Sequence, residues 1–173
     1  MSDDAYRQLQ TERGLQFQDH VVSHLLKTRG IIIQLYTSCH AQYREGESLN
    51  GIEIKLDNRY AETGNLWIEV GEKAQPREGD YARSGILRED NTWLYVIGNY
   101  TTLFAFAKRH LQTMHARGRY PVLENQRKTS KGFLCPDAAA RLWAVFVDEA
   151  TPPPLPVPAP VSNASLTQSD IPW

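Results

Sequence analysis

The sequence predicts an α+β domain in which a central mixed sheet is flanked by helices. Three observations lead there. A helical apolar period opens the chain, and two short alternating segments follow at 51–57 and 66–73. Strand-like and helix-like stretches then take turns as far as residue 149. At 173 residues and 41% hydrophobic, the chain has material for one core and a tail.

Residues 5 to 28 read as a helix, with Phe17, Val21, Val22, Leu25 and Leu26 on one side and Gly30 as its stop. Ile31 to Tyr36 reads as a short apolar strand, and residues 38 to 50 as a polar loop. From Gly51 to Asp57, Ile52, Ile54 and Leu56 point one way and Glu53, Lys55 and Asp57 the other. From Leu66 to Lys73, Trp67, Glu69, Gly71 and Lys73 lie opposite Leu66, Ile68 and Val70. Turn-forming residues fill Asn58 to Asn65, so these two strands are expected to close as a hairpin near residue 62. A charged loop over 74 to 91 follows, with a short helix expected after Ser84-Gly85-Ile86. Trp93 to Ile97 and Thr101 to Ala107 read as strands, Lys108 to Arg117 as a helix and Pro121 to Gly132 as a basic loop. Pro136 to Val147 reads as a helix with Ala138, Leu142 and Val145 among its apolar positions. The folded domain, 1–149, is followed by an extended proline-rich linker at 150–161 and a polar tail at 162–173.

No run of about 18 apolar residues predicts a membrane span. The opening MSDDAYRQLQTERG lacks an apolar stretch, so no signal peptide is expected and the cytoplasm is the expected compartment. Cys39 and Cys135 are isolated and form no metal spacing. The net charge of −1 hides an asymmetry. Residues 108 to 131 carry Lys108, Arg109, Arg117, Arg119, Arg127, Lys128 and Lys131 against Glu124 alone. These seven are candidate contacts to a DNA backbone, and a solvated helix face and loop would look the same.

In the expected hairpin Lys55 falls opposite Glu69, and Asp57 beside Trp67. Opposed side chains stand about 5 Å apart and diagonal ones about 7–8 Å, so Asp57, Glu69 and Lys55 converge. Two carboxylates and an amine suit a hard cation such as Mg²⁺, with the lysine placing the attacking water. A water-facing sheet with cross-strand ion pairs is the plainer reading of the same alternation.

The strings GIEIKLD, TGNLWIEV and SGI resemble the PD-(D/E)XK nuclease superfamily, and most closely its small phage-type members with an E-x-K-x-D strand, a T-G-N turn and an I-E strand. The resemblance runs over roughly residues 12 to 147 in element order. It implies a restriction-endonuclease-like αβββαβ core and Mg²⁺-dependent hydrolysis of DNA, with Mn²⁺ as a substitute ion. It further implies a place in phage or bacterial DNA recombination or repair, and a homodimer as in many such nucleases. It assigns Asp57 as a metal-binding aspartate and Glu69 as the acid of the (D/E)XK element. Where that element should carry its lysine stands Gly71, so Lys55 or Lys73 would take the role, Lys55 by its place opposite Glu69. Glu53 is a further candidate ligand, and Asp19 or Gln18 would supply the acid of the first helix. Gly71 also leaves open a catalytically inactive DNA- or protein-binding module that recruits or blocks host repair enzymes.

Trp67 is a candidate for base stacking or for ordinary packing; Ser84-Gly85 and Thr129 to Gly132 are candidates for phosphate contact or plain loops. His20 and His24 have helical spacing but no third zinc ligand. No nucleophile elbow or phosphate-binding Gly-Lys-Ser/Thr loop is present. The end, Ser169-Asp170-Ile171-Pro172-Trp173, resembles the C-terminal tip of bacterial single-stranded-DNA-binding proteins, an acidic run before Ile-Pro-Phe. That resemblance implies docking of Asp170, Ile171, Pro172 and Trp173 into a basic pocket of a host replication or repair enzyme.

Overall fold

The structure, a computed structural model, describes residues 3–77 and 79–149. In chain order its elements are α1 (Asp3–Arg29), α2 (Cys39–Glu45), β1 (Ile52–Leu56), α3 (Tyr60–Thr63), β2 (Asn65–Glu72), β3 (Ala82–Arg83), a 3-10 turn (Gly85–Leu87), β4 (Leu94–Gly98), β5 (Thr102–Ala107), α4 (Lys108–Ala116), β6 (Leu123–Glu124), β7 (Ser130–Pro136), α5 (Asp137–Trp143) and β8 (Phe146–Glu149). The strands make two four-stranded sheets rather than one. The first, ordered β1-β4-β5-β8, is mixed: β1 and β4 run parallel and the remaining pairs antiparallel. The second, ordered β3-β2-β7-β6, is antiparallel.

Alternation along the strands divides the apolar side chains between two cores. Phe17, Val21 and Leu25 of α1 pack with Ile52, Ile54, Leu94, Val96, Leu103 and Ala105, closing one face of the mixed sheet. The other face carries Tyr95, Ile97, Phe104 and Phe106, which meet Leu66, Ile68, Val70, Phe133 and Cys135 of the antiparallel sheet and Leu111 and Met114 of α4.

The expected β1–β2 hairpin does not form. The Asp57 carboxylate caps the backbone N–H groups of Arg59 and Tyr60 and starts the single turn α3. Gly64, at φ +64°, ends that turn by donating its N–H to Tyr60 O. The chain therefore leaves one sheet and enters the other. β1 pairs with β4 instead, and Glu69 stands opposite Gly132 of β7, not opposite Lys55.

Other expectations are corrected as well. Ile31 to Tyr36 forms no strand; it contributes a single bridge, Leu35 to Ser48. The polar stretch 38–50 contains α2, capped by Ser38, whose hydroxyl accepts from Ala41 N–H. The basic loop conceals β6 and the start of β7, with Phe133 and Cys135 of β7 facing the core. The last helix stops at Trp143, because Val145 donates its N–H to Ala105 O and the chain joins β5 as β8. Leu142 and Val145 consequently face solvent, at 71% and 65% exposure, while Ala140 is buried. Among the described residues no helix is long and apolar enough to cross a membrane. The linker, the tail and Asp170 to Trp173 lie outside the described residues.

Lys108 belongs to the interior. Its ammonium lies 2.6 Å from Asp90 Oδ1 and donates to Arg88 O at 2.8 Å, with side-chain exposures of 5% and 1% for the lysine and the aspartate. Burial pushes the Asp90 carboxyl up, but Lys108 and the Thr92 N–H outweigh it and hold it below the usual carboxylate range. A depressed carboxyl stabilises the fold at neutral pH, and that contribution is lost as the pH falls through the folded-state titration. Lys108→Ala strands a buried charge, so it should lower stability by about 3–5 kcal/mol. In thermal melts this is a drop of about 6–20 °C for a domain of this size. A shift within about 2 °C would show that the pair does not hold the loop to α4.

Candidate functional site

Alternation puts Glu53 and Lys55 on one face of β1, the face shared with Tyr95 of β4, while Ile52 and Ile54 turn toward α1. Lys55 Nζ lies 2.9 Å from Glu53 Oε1, with side-chain exposures of 41% and 3% respectively. Glu53 Oε2 is buried and has no hydrogen-bond partner among the described residues. A carboxylate so placed is only half neutralised.

Glu47 arrives from the segment before β1. Ser48 makes the tight return into the strand, its hydroxyl accepting from Ile52 N–H at 2.7 Å. The return brings the Glu47 carboxylate onto the backbone N–H of Ile54, between Glu53 and Lys55. Its second oxygen accepts from the side-chain amide of Gln18, a buried residue of α1 beside Phe17. Three segments thus bring Gln18, Glu47, Glu53 and Lys55 together.

The electrostatics agree with that grouping. Partial desolvation pulls the Lys55 ammonium down, but the Glu53 and Glu47 carboxylates prevail and hold it well above the ordinary lysine range. Burial raises the Glu47 carboxyl and Glu53 adds to the rise, against the pull of Lys55 and the Ile54 N–H. Burial also raises Glu72 at the end of β2, with Glu69 reinforcing it and Lys55 and Arg88 opposing it. Acidic groups of both sheets therefore lie within the field of Lys55.

The residues singled out from the sequence are placed unevenly. Asp57 is buried and fully engaged: Oδ1 accepts from Arg59 and Tyr60 N–H at 3.0 and 3.1 Å, and Oδ2 from Trp67 N–H at 2.8 Å. The expected cross-strand place beside Trp67 does not form; Asp57 meets Trp67 through that residue's backbone N–H. Glu69 accepts from the Ser84 hydroxyl at 2.8 Å and the Ser130 hydroxyl at 2.7 Å, tying β2 to the 3-10 turn and β7. Gly85, at φ +50°, completes that clamp: a Cβ there would stand 2.4 Å from Glu69 O. Gly71 sits where the register of β2 shifts. Lys73 lies over the Tyr81 ring, 4.5 Å from its centroid. Asp19 is exposed, and its neighbour Gln18 is the α1 residue that turns inward.

Trp67 packs half-buried against Gly132, its indole N–H reaching Ser130 Oγ at 3.4 Å. His20 and His24 stack at 6.1 Å within α1. Of the basic segment, Lys108 is removed from the surface by its pairing with Asp90. Arg109, Arg117, Arg119, Arg127 and Lys128 are exposed, and Lys131 is half-buried over Tyr81.

Glu47 was hidden in a stretch that reads as loop; its signal was an acid six residues before the Glu53-Ile54-Lys55 triplet. Among the described residues no three His, Cys, Asp or Glu side chains form a metal cage. Mg²⁺ needs less than a cage: one or two carboxylates, with water and substrate oxygens completing the shell. The all-oxygen set of Gln18, Glu47 and Glu53 matches that preference, and the unpartnered Glu53 oxygen is where a cation would be compensated. No protein-family model, no curated protein and no solved structure matches the chain.

Asp57→Ala leaves backbone N–H groups of Arg59, Tyr60 and Trp67 without their acceptor. It should lower unfolding free energy by about 1–3 kcal/mol in urea denaturation. Unchanged stability would show that Asp57 does not hold the sheet-to-sheet crossing together.

Proposed function

We propose that the protein is a Mg²⁺-dependent deoxyribonuclease with a restriction-endonuclease-like core, and that Glu47, Glu53 and Lys55, with Gln18 behind them, form its site. The observation that carries this reading is the buried, unpartnered Oε2 of Glu53 beside a lysine on the same strand face. A charge left that way is costly unless a cation completes its environment.

The acid-x-lysine element is then Glu53-Ile54-Lys55, and Gly71, paired with Lys131 just after the register shift in β2, takes no part in it. Asp57 and Glu69 have their oxygens committed to the fold, so the ligand role passes to Glu53 and Glu47. Mg²⁺ or Mn²⁺, when bound, supplies positive charge that lowers the pKa of water and offsets charge on the phosphodiester. Lys55, held protonated by its acidic neighbours, would donate hydrogen bonds that orient the attacking water and the scissile phosphate. Gln18 and the Ile54 N–H fix the Glu47 carboxylate. Exposed Arg109, Arg117, Arg119, Arg127 and Lys128 supply sequence-independent contacts to the DNA backbone.

Cleavage of labelled DNA with Mg²⁺, with Mn²⁺ and with chelator tests this. Glu53→Gln and Lys55→Met should each reduce cutting by about 100-fold or more. Wild-type rates in both variants would refute the assignment. A second readout does not depend on turnover. Because Glu47 is raised, protons compete with a cation there, so Mg²⁺ should raise the melting temperature more at pH 8 than at pH 5. At about 100 times Kd the stabilisation is about 2.7 kcal/mol, and Glu53→Gln should abolish it. An equal Mg²⁺ shift in that variant would place the ion elsewhere.

A further inference from the structure

A groove of about 620 Å³ is lined by Arg83, Arg88, Asp90, Trp93, Arg109 and Gln112 among others. Trp93 is 60% exposed, yet it is fixed. Its indole N–H donates to Asn50 O at 2.8 Å, and Gly51, at φ +69°, lies so close that a Cβ there would stand 2.7 Å from the ring. A large aromatic held at its edge and open to water is pre-organised to stack, since its ordering has already been met by folding.

The charges around it favour an anion. Lys108 and Asp90 neutralise one another internally, and Arg83 meets Glu89 at 2.9 Å in an exposed pair of little strength. Arg109 has no ion-pair partner among the described residues, while Arg88, which lines the same groove, is tied to Asp90, its Nε 3.4 Å from Oδ2. The loop carrying Trp93 is bound to the segment carrying Glu47. Asn91 N–H donates to Glu45 O at 3.1 Å, and its side-chain amide to Ser48 O at 2.8 Å. Arg88 reaches Gln42 O. Groove and carboxylates therefore share one framework.

We propose that this groove takes an unpaired base of a DNA strand, stacked on Trp93, with the flanking phosphates met by Arg109 and Arg83. The proposal rests on the nuclease reading and adds to it a preference for DNA with single-stranded nucleotides. A duplex presents its interior bases edge-on and offers Trp93 a face only at its two terminal pairs, whereas every unpaired base has one.

The experiment is fluorescence anisotropy of the full chain with a labelled single strand and with a labelled blunt duplex, both in chelator so that no cleavage intervenes. Trp93→Ala should weaken single-strand binding by about 5- to 150-fold and leave duplex binding within about twofold. Trp93→Phe should recover most of the loss. Arg109→Ala should weaken both ligands and flatten the dependence of affinity on salt by nearly one counterion. Wild-type single-strand affinity in Trp93→Ala, an equal loss on both ligands, or no binding of either DNA would overturn the proposal. Because binding is read without metal, these outcomes are separate from the loss of cutting in Glu53→Gln that tests the nuclease reading.

Discussion

A carboxylate withdrawn from water and neutralised on one side only constrains the surroundings of β1. Glu53 is held at 3% side-chain exposure, with Lys55 on one oxygen and nothing on the other. Leaving a buried ion in that state is costly, so its neighbours must maintain the compensation that exists. Lys55 has to stay protonated, and the Glu53 and Glu47 carboxylates keep it so. The parallel pairing of β1 with β4 places Tyr95 against Glu53, and α1 delivers Gln18 to Glu47. The same arrangement that strains the resting protein is what a divalent cation would relieve.

Two other carboxylates perform the opposite service. Asp57 and Glu69 are saturated with donors, three backbone N–H groups for the first and two hydroxyls for the second. Asp57 turns the chain from the mixed sheet into the antiparallel one, and Glu69 locks β2 to β7 and to the 3-10 turn. Their saturation makes them architectural. It also separates them from Glu53, whose second oxygen has no hydrogen-bond partner among the described residues.

The strands β1, β2, β4 and β5 were legible because each carries a clean alternation or a dense apolar run bounded by turn residues. The helices α1 and α4 were legible from their periods. Pairing was not, because the decision rests on one side chain: Asp57 nucleates a helical turn where the residues 58–65 otherwise suit a hairpin. β7 and β8 were hidden for a related reason. Ser130 to Pro136 carries charge and glycine as well as apolar residues, and Val145 to Glu149 is claimed by hydrogen bonds to β5 over a local sequence that suits helix. In the site, Glu53 and Lys55 were visible as one strand face, and Gln18 was visible as a helix-1 position. Glu47 was not, since only the return through Ser48 brings it to Ile54.

The most direct test of the account is the position of a bound divalent ion. Anomalous diffraction from Mn²⁺-soaked crystals should place a peak against Glu53, on the side of its unpartnered oxygen, with Glu47 as its neighbour. A peak coordinated by Asp57 or Glu69 instead, or none near Glu53 at saturating Mn²⁺, would contradict the claim that the half-neutralised carboxylate is the metal site.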